Sequence, residues 1–194
     1  MKKAIMILHL AAAFCFSETA PFDTMESLFD EESLLFSCSE LDNFYKNSGL
    51  LFEYAEFENI LDSIIETLYI RNEKQDNKIS TQIIKSNSVN AFASFNRKIY
   101  INTGIIALLE NFSQLAALLA HEMTHICNSH SRRNFNSIIK SYHEGTASRI
   151  TFQMLFGDIG NMIGQLSIAS SISGYSKELE IEADSIGLKR MRHA

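Results

Sequence analysis

The stretch Ala120-His121-Glu122-Met123-Thr124-His125 interrupts an apolar helical run with two imidazoles and a carboxylate. On an α-helix, positions i and i+4 lie on one face a turn apart. His121 and His125 can therefore send ring nitrogens to one point, roughly 2.0–2.1 Å from a zinc ion. Glu122, one residue round, reaches a water beside that ion rather than the ion itself. H-E-x-x-H on a helix is the zinc-hydrolase arrangement, in which the metal lowers the pKa of water to about 7 and the glutamate takes the proton. Without a metal, burying these three side chains on an apolar helix costs on the order of several kcal/mol unless each finds a partner.

Two histidines leave a catalytic zinc one protein ligand short. The metzincin continuation needs glycine at position 128 and histidine at 131, where Asn128 and Ser131 stand, so that class is excluded. His130 lies five residues past His125, on a different face of a continuous helix, and reads as a supporting or surface histidine. The remaining source is a distant carboxylate. In "SKELEIEADSIGLKR" (176–190), Leu179, Ala183, Ile186 and Arg190 form one helical face. Glu180, Asp184, Gly187 and Met191 form the stripe beside it, while Glu178, Glu182, Ser185 and Lys189 form a polar face that can stay in water. Glu180 is thus the glutamate placed to turn inward as third ligand. Asp184, one turn on, can hold a ligand histidine by its other ring nitrogen. Ala183 and Gly187 are small and permit close approach to the His121 helix.

These side chains need a scaffold. Residues from about 23 to 71 read as helical, most clearly in the stripe Tyr54, Phe57, Ile60, Leu61, Ile64, Ile65, Leu68. "RNEKQDNK" (71–78) is a polar break. Then the period shortens: 79–85, 89–95 and 98–102 read as a three-stranded antiparallel meander. A short helix follows Gly104, and Ser113 reads as the cap of the helix that carries the histidines. Residues 132–173 read as helices with glycine interruptions, and Lys177 to Arg192 as a final helix. The fold class expected is α+β, mostly helical, with a small antiparallel sheet of about three strands beside the H-E-x-x-H helix.

Length and composition allow one domain with a real core, or one plus a small helical appendage, in a chain of 194 residues. The net charge is −6 and the basic residues are scattered, which argues against a nucleic-acid partner. Lys2 and Lys3 followed by "AIMILHLAAAFCF" (4–16) read as an export signal over residues 1–20, which places the chain in the periplasm or cell envelope. Residues 21–75 then form an N-terminal helical segment and 76–194 the metal-bearing domain. Asp158, Asn161 and Gln165 argue against a membrane span in the apolar tract 150–172. Cys38 and Cys127 are too far apart for a zinc ribbon; Cys127 reads as a small core residue rather than half of a disulfide.

Four motifs in order, "VNAFA" (89–93), "IYINTGII" (99–106), "QLAALLAHEMTHICNSH" (114–130) and "YSKELEIEAD" (175–184), resemble the HtpX-like and BepA-like zinc metallopeptidases, the group that includes the CAAX prenyl protease. The resemblance runs from about Ile79 to Ala194. It implies a gluzincin-type fold, one Zn2+ per chain on His121, His125 and Glu180, Glu122 as general base, and Asp184 behind a ligand. It also implies a cleft beside an edge strand, with Asn90 and Ala91 as substrate contacts on "VNAFASF". The function implied is an endopeptidase that hydrolyses misfolded or misassembled envelope proteins, in association with the membrane or with outer-membrane assembly machinery. The alternative is a zinc-bound chaperone or assembly factor with little proteolysis. The chain ends ten residues after Asp184, where relatives continue, and so reads as truncated. His143, Tyr175 and His193 all remain open as stabilisers of the transition state.

Overall fold

The computed structural model describes residues 31–69, 78–143 and 175–194. The expected leader, most of the polar break at 71–78 and the apolar tract 150–172 lie outside the described residues. The elements, in order, are α1 (Glu31–Asn47), α2 (Ala55–Leu68), β1 (Ser80–Ile84), β2 (Ala91–Ala93), β3 (Lys98–Asn102), α3 (Thr103–Ile106), α4 (Phe112–Cys127), α5 (His130–His143) and α6 (Lys177–His193). Among the described residues no helix is long and apolar enough to cross a membrane.

The helical reading of 23–71 needs correction. Its described part is two helices, separated at 48–54. Gly49 ends α1 with φ +68, a left-handed turn that costs glycine little. The chain then runs extended along β1: Phe52 N–H donates to Ile83 O (2.9 Å) and Lys85 N–H to Leu50 O (2.7 Å). One sheet edge is thereby covered.

The sheet is mixed, not the antiparallel meander expected. Its order is β1-β3-β2, with β1 parallel to β3 and β2 antiparallel to it. A tight hairpin exists only at 94–98, where Arg97 takes φ 61 and Ser94 N–H donates to Lys98 O at 2.8 Å. The link at 85–90 instead crosses the end of β3 and delivers β2 to the far side. Thr103 Oγ1 accepts from Ser86 N–H (3.1 Å) and donates to Ser86 O (2.9 Å), and Gly104 N–H also reaches Ser86 O (2.8 Å). The crossing is so close that a Cβ on Gly104 would lie 2.4 Å from Asn87 O and 2.6 Å from Ser88 O.

Alternation along the strands gives the sheet two apolar faces. Ile83, Ala93, Ile99 and Ile101 join Leu61, Ile65 and Leu68 of α2 and Leu115, Leu119 and Met123 of α4 in the main core. Ile84, Phe92 and Tyr100 face the other way, onto Leu41 and Tyr45 of α1. Full burial of each such aliphatic side chain contributes about 1.5–3 kcal/mol. Asp42 of α1 accepts from the Tyr100 hydroxyl and from Lys98 Nζ (2.6 Å), which bolts α1 to β3. Burial, and then the Asp42 carboxylate, push the Tyr100 hydroxyl pKa far up. Cys38 is buried with Sγ 3.2 Å from Ser94 Oγ, so it is not joined to Cys127.

Asn111, not Ser113, caps α4: its side chain accepts from Gln114 N–H at 3.0 Å, and Gln114 Oε1 accepts from Glu110 N–H at 2.7 Å. We expect Gly104→Ala to lower Tm through overlap with the 86–88 main chain. The cost is about 1–3 kcal/mol, read as a fall of about 2–4 °C per kcal/mol in thermal unfolding.

Candidate metal centre

The second half of α4 is enclosed: Glu122, Met123, Thr124, His125 and Ile126 are all buried. What encloses it is β2 on one side and α6 on another. The α4–α6 approach is set by small residues. Ala183 is fully buried, and a Cβ on Gly187 would lie 3.3 Å from His121 N and 3.4 Å from Ala120 O. Arg190, buried without exposure, fastens the far end of α6. Its Nε donates to Thr124 Oγ1 (3.2 Å), and Nη1 to Leu68 O at the end of α2 (3.3 Å). A cation there also suits the negative end of the α2 dipole.

This packing brings residue 180 back to residues 121 and 125. His121 Nε2 lies 3.0 Å from His125 Nε2 and 3.3 Å from Glu180 Oε2, and His125 Nε2 lies 3.9 Å from Glu180 Oε1. One ligand atom from each residue falls within 4.8 Å of the other two. A tetrahedral ion with arms of roughly 2.0–2.1 Å needs donors about 3.3 Å apart. The donor set and its spacing therefore fit a zinc-sized cation. Asp184 Oδ1 is 3.0 Å from His121 Nδ1 and can accept a proton from it, which leaves Nε2 as the ring nitrogen that faces Glu180.

Glu122 is buried beside β2, where its carboxylate accepts from Ala93 N–H, and it stays within charge reach of His121 and Glu180. Burial pushes its pKa up to about 7; the Glu180 charge adds to this, while His121 and the Ala93 N–H pull it back. A carboxyl poised near neutrality is suited to take and return a proton. His125 is held neutral: burial first, then the His121 and His130 rings, bring its pKa down to about 3. Tyr175 stacks on the His125 ring (centroids 3.9 Å apart, planes at 16°) and its hydroxyl is 2.7 Å from Ser131 Oγ.

A family model described as Peptidase family M48 matches residues 55–194. The chain belongs to peptidase family M48. With it comes a place among the metallopeptidases. This M48 chain is similar to the beta-barrel assembly-enhancing protease of Escherichia coli K12, at 25% identity over 145 residues; the match takes in 70% of the chain and 30% of that protein. The beta-barrel assembly-enhancing protease of Yersinia pestis matches at 25% over 148 residues, 71% of the chain and 30% of the relative. A putative one from Vibrio cholerae gives 25% over 146 residues, 70% and 30%. The M48 chain thus spans less than a third of the length of these relatives.

Of the two readings open for His130, supporting or surface, the structure gives the first, and it adds a group that was expected to stay in water. His130 is fully buried, with Nδ1 3.0 Å from His125 Nδ1. Glu182, assigned above to water, takes 2.7 Å and 2.9 Å contacts from Asn128 Nδ2 and Arg133 Nη1 and lies 3.4 Å from His130 Nε2. His130 leaves the face that a continuous helix would give it because α4 and α5 are not one helix: Ser129 takes φ 52 between them, and His130 packs against His125. The Asn128-Ser129 pair after an apolar run was the available signal. Of the stabiliser candidates, His193 stands at the exposed end of α6, thirteen residues from Glu180, or about 20 Å along the helix; it cannot serve the same centre. The His143 side chain lies outside the described residues.

If Gly187 sets the helix approach, Gly187→Ala should leave metal content near wild type. Gly187→Val, whose methyls would extend into the Ala120–His121 main chain, should reduce it sharply. Metal analysis of the two purified variants checks this.

Proposed function

We propose that this chain carries the catalytic centre of a zinc-dependent endopeptidase of the cell envelope, with the gluzincin ligand set His121, His125 and Glu180. The observation that carries the reading is the Glu180 carboxylate beside both imidazoles, 3.3 Å from one and 3.9 Å from the other, although it comes from a distant helix. A zinc ion held there would supply Lewis-acid activation of water and of a peptide carbonyl. Glu122 takes the proton from the attacking water at its carboxylate and returns it to the leaving amine. Asp184 holds His121 in the required tautomer.

The substrate is an extended polypeptide laid along β2. The bonds Asn102 N–H to Asn90 O (3.0 Å) and Ser94 N–H to Lys98 O (2.8 Å) mark even-numbered residues as those joined to β3. The main-chain groups of Ala91 and Ala93 therefore point to the outer edge, and among the described residues no strand occupies it. A peptide can add there as a further strand. Ala91 offers it main-chain groups. Asn90, whose main-chain oxygen is used inside the sheet, offers its side chain. Misfolded or misassembled envelope proteins suit this mode, since they expose extended segments. The leader-like residues 1–20 and the names of the relatives, assembly-enhancing proteases, support that location and client class.

Wild-type protein should hold one zinc per chain and cleave an unfolded casein substrate. Glu180→Ala should lose the metal. Glu122→Gln should keep it and lose roughly 10²–10⁴-fold in cleavage rate. Full cleavage by Glu122→Gln would overturn the reading; a metal-loaded chain that protects clients from aggregation and never cuts would mark an assembly factor instead. A chelator should abolish cleavage, and added zinc should restore it.

A further inference from the structure

His121 and His125 are not supported in the same way. Asp184 stands directly behind His121, at 3.0 Å from its Nδ1. Behind His125 stands another imidazole, His130, with Nδ1 facing Nδ1 at 3.0 Å. Behind His130 stands Glu182, with Oε1 3.4 Å from Nε2. The buried His130 Nε2 makes no hydrogen bond among the described residues, and the Glu182 carboxylate is the charge that stands beside it. Glu182 is itself fixed by Asn128 Nδ2 (2.7 Å) and Arg133 Nη1 (2.9 Å). Both of these partners are donors and one is a guanidinium, so Glu182 is held as an acceptor beside His130.

Proton positions follow from these contacts. Two neutral rings with facing Nδ1 atoms can hold one proton between them: two would collide, and none would leave two electron pairs opposed. A carboxylate at His130 Nε2 requires a proton on that atom. The neutral ring then has a bare Nδ1. The shared proton then sits on His125 Nδ1, and His125 Nε2 is left as an acceptor, 3.0 Å from His121 Nε2 and 3.9 Å from Glu180 Oε1, where a cation would lie between the electron pairs.

We propose that Glu182, by the charge it places at His130 Nε2, and His130, by its hydrogen bond to His125, form a two-step relay that sets the tautomer of His125, so that its Nε2 presents an electron pair to the metal. They are positioning residues and touch neither metal nor substrate. The proposal deepens the metal-site reading above and rests on it. Glu182→Gln is the sharp test. An amide can turn its NH2 toward His130 Nε2, which reverses every step and puts a proton on His125 Nε2, where the cation should sit. His130→Phe keeps a ring of similar shape and removes both nitrogens.

The test titrates zinc into metal-free full-length protein against a competing chelator and reads the His125 ring nitrogens by 15N NMR in the metal-free state. Wild type should show Nδ1–H and bare Nε2 on His125. Glu182→Gln should shift it toward Nε2–H, and each variant should weaken zinc binding about 10–100-fold, as partners of ligand histidines do elsewhere. A structural role alone would lower Tm and leave tautomer and affinity unchanged. Should His130→Phe fail to fold, Glu182→Gln, on the solvent-facing rim, carries the test. Stoichiometric zinc on wild type with unchanged affinity and tautomer in the variants overturns the relay alone. No zinc on wild type overturns the site reading, and the 15N spectra then decide the relay by themselves.

Discussion

Two imidazole nitrogens and a carboxylate meet at one point, and a cation or a shared proton between them offsets the repulsion of their electron pairs. The rest of the structure serves that convergence. His121 and His125 are set by the pitch of α4, which the sequence dictates locally. Glu180 is set by tertiary packing, in which Gly187 and Ala183 let α6 lie almost on the α4 backbone. Arg190 then fixes how far along α4 it sits. The cost of burying polar groups on α4, several kcal/mol if left alone, is on the order of what a coordinated metal offsets.

The centre also couples to the sheet. Glu122 feels the charge of His121 and also reaches the main chain of β2, through Ala93 N–H. The Glu122 carboxyl and the outer edge of β2 are thus held in one frame. That edge exists because the 85–90 link crosses the end of β3 and leaves β2 outermost.

How legible was this in the sequence? The H-E-x-x-H spacing and the stripe of Glu180 and Asp184 were readable because both rest on helical periodicity within one element, and the structure does bring those four side chains together. Strand positions at 80–84, 91–93 and 98–102 were readable from β-branched and aromatic residues, but their order was not. Period-two alternation names a strand and its faces, not its neighbour; a six-residue link permits a hairpin or a crossing, and contacts at Thr103 and Gly104 decide. For His130 the choice between supporting and surface turned on the break at Asn128-Ser129, and Glu182 was assigned to water because its partners Asn128 and Arg133 are reached only once that break turns α5 toward α6.

The family match begins at residue 55, in the first turn of α2. Yet residues 50–52 shield the outer side of β1, and α1 roofs Ile84, Phe92 and Tyr100 on the sheet's second face. A recombinant fragment cut at the family boundary would therefore strip away both a strand's cover and an aromatic layer, leaving a sheet open to self-association. The unit of inheritance and the unit that can be handled in a test tube differ here by one helix.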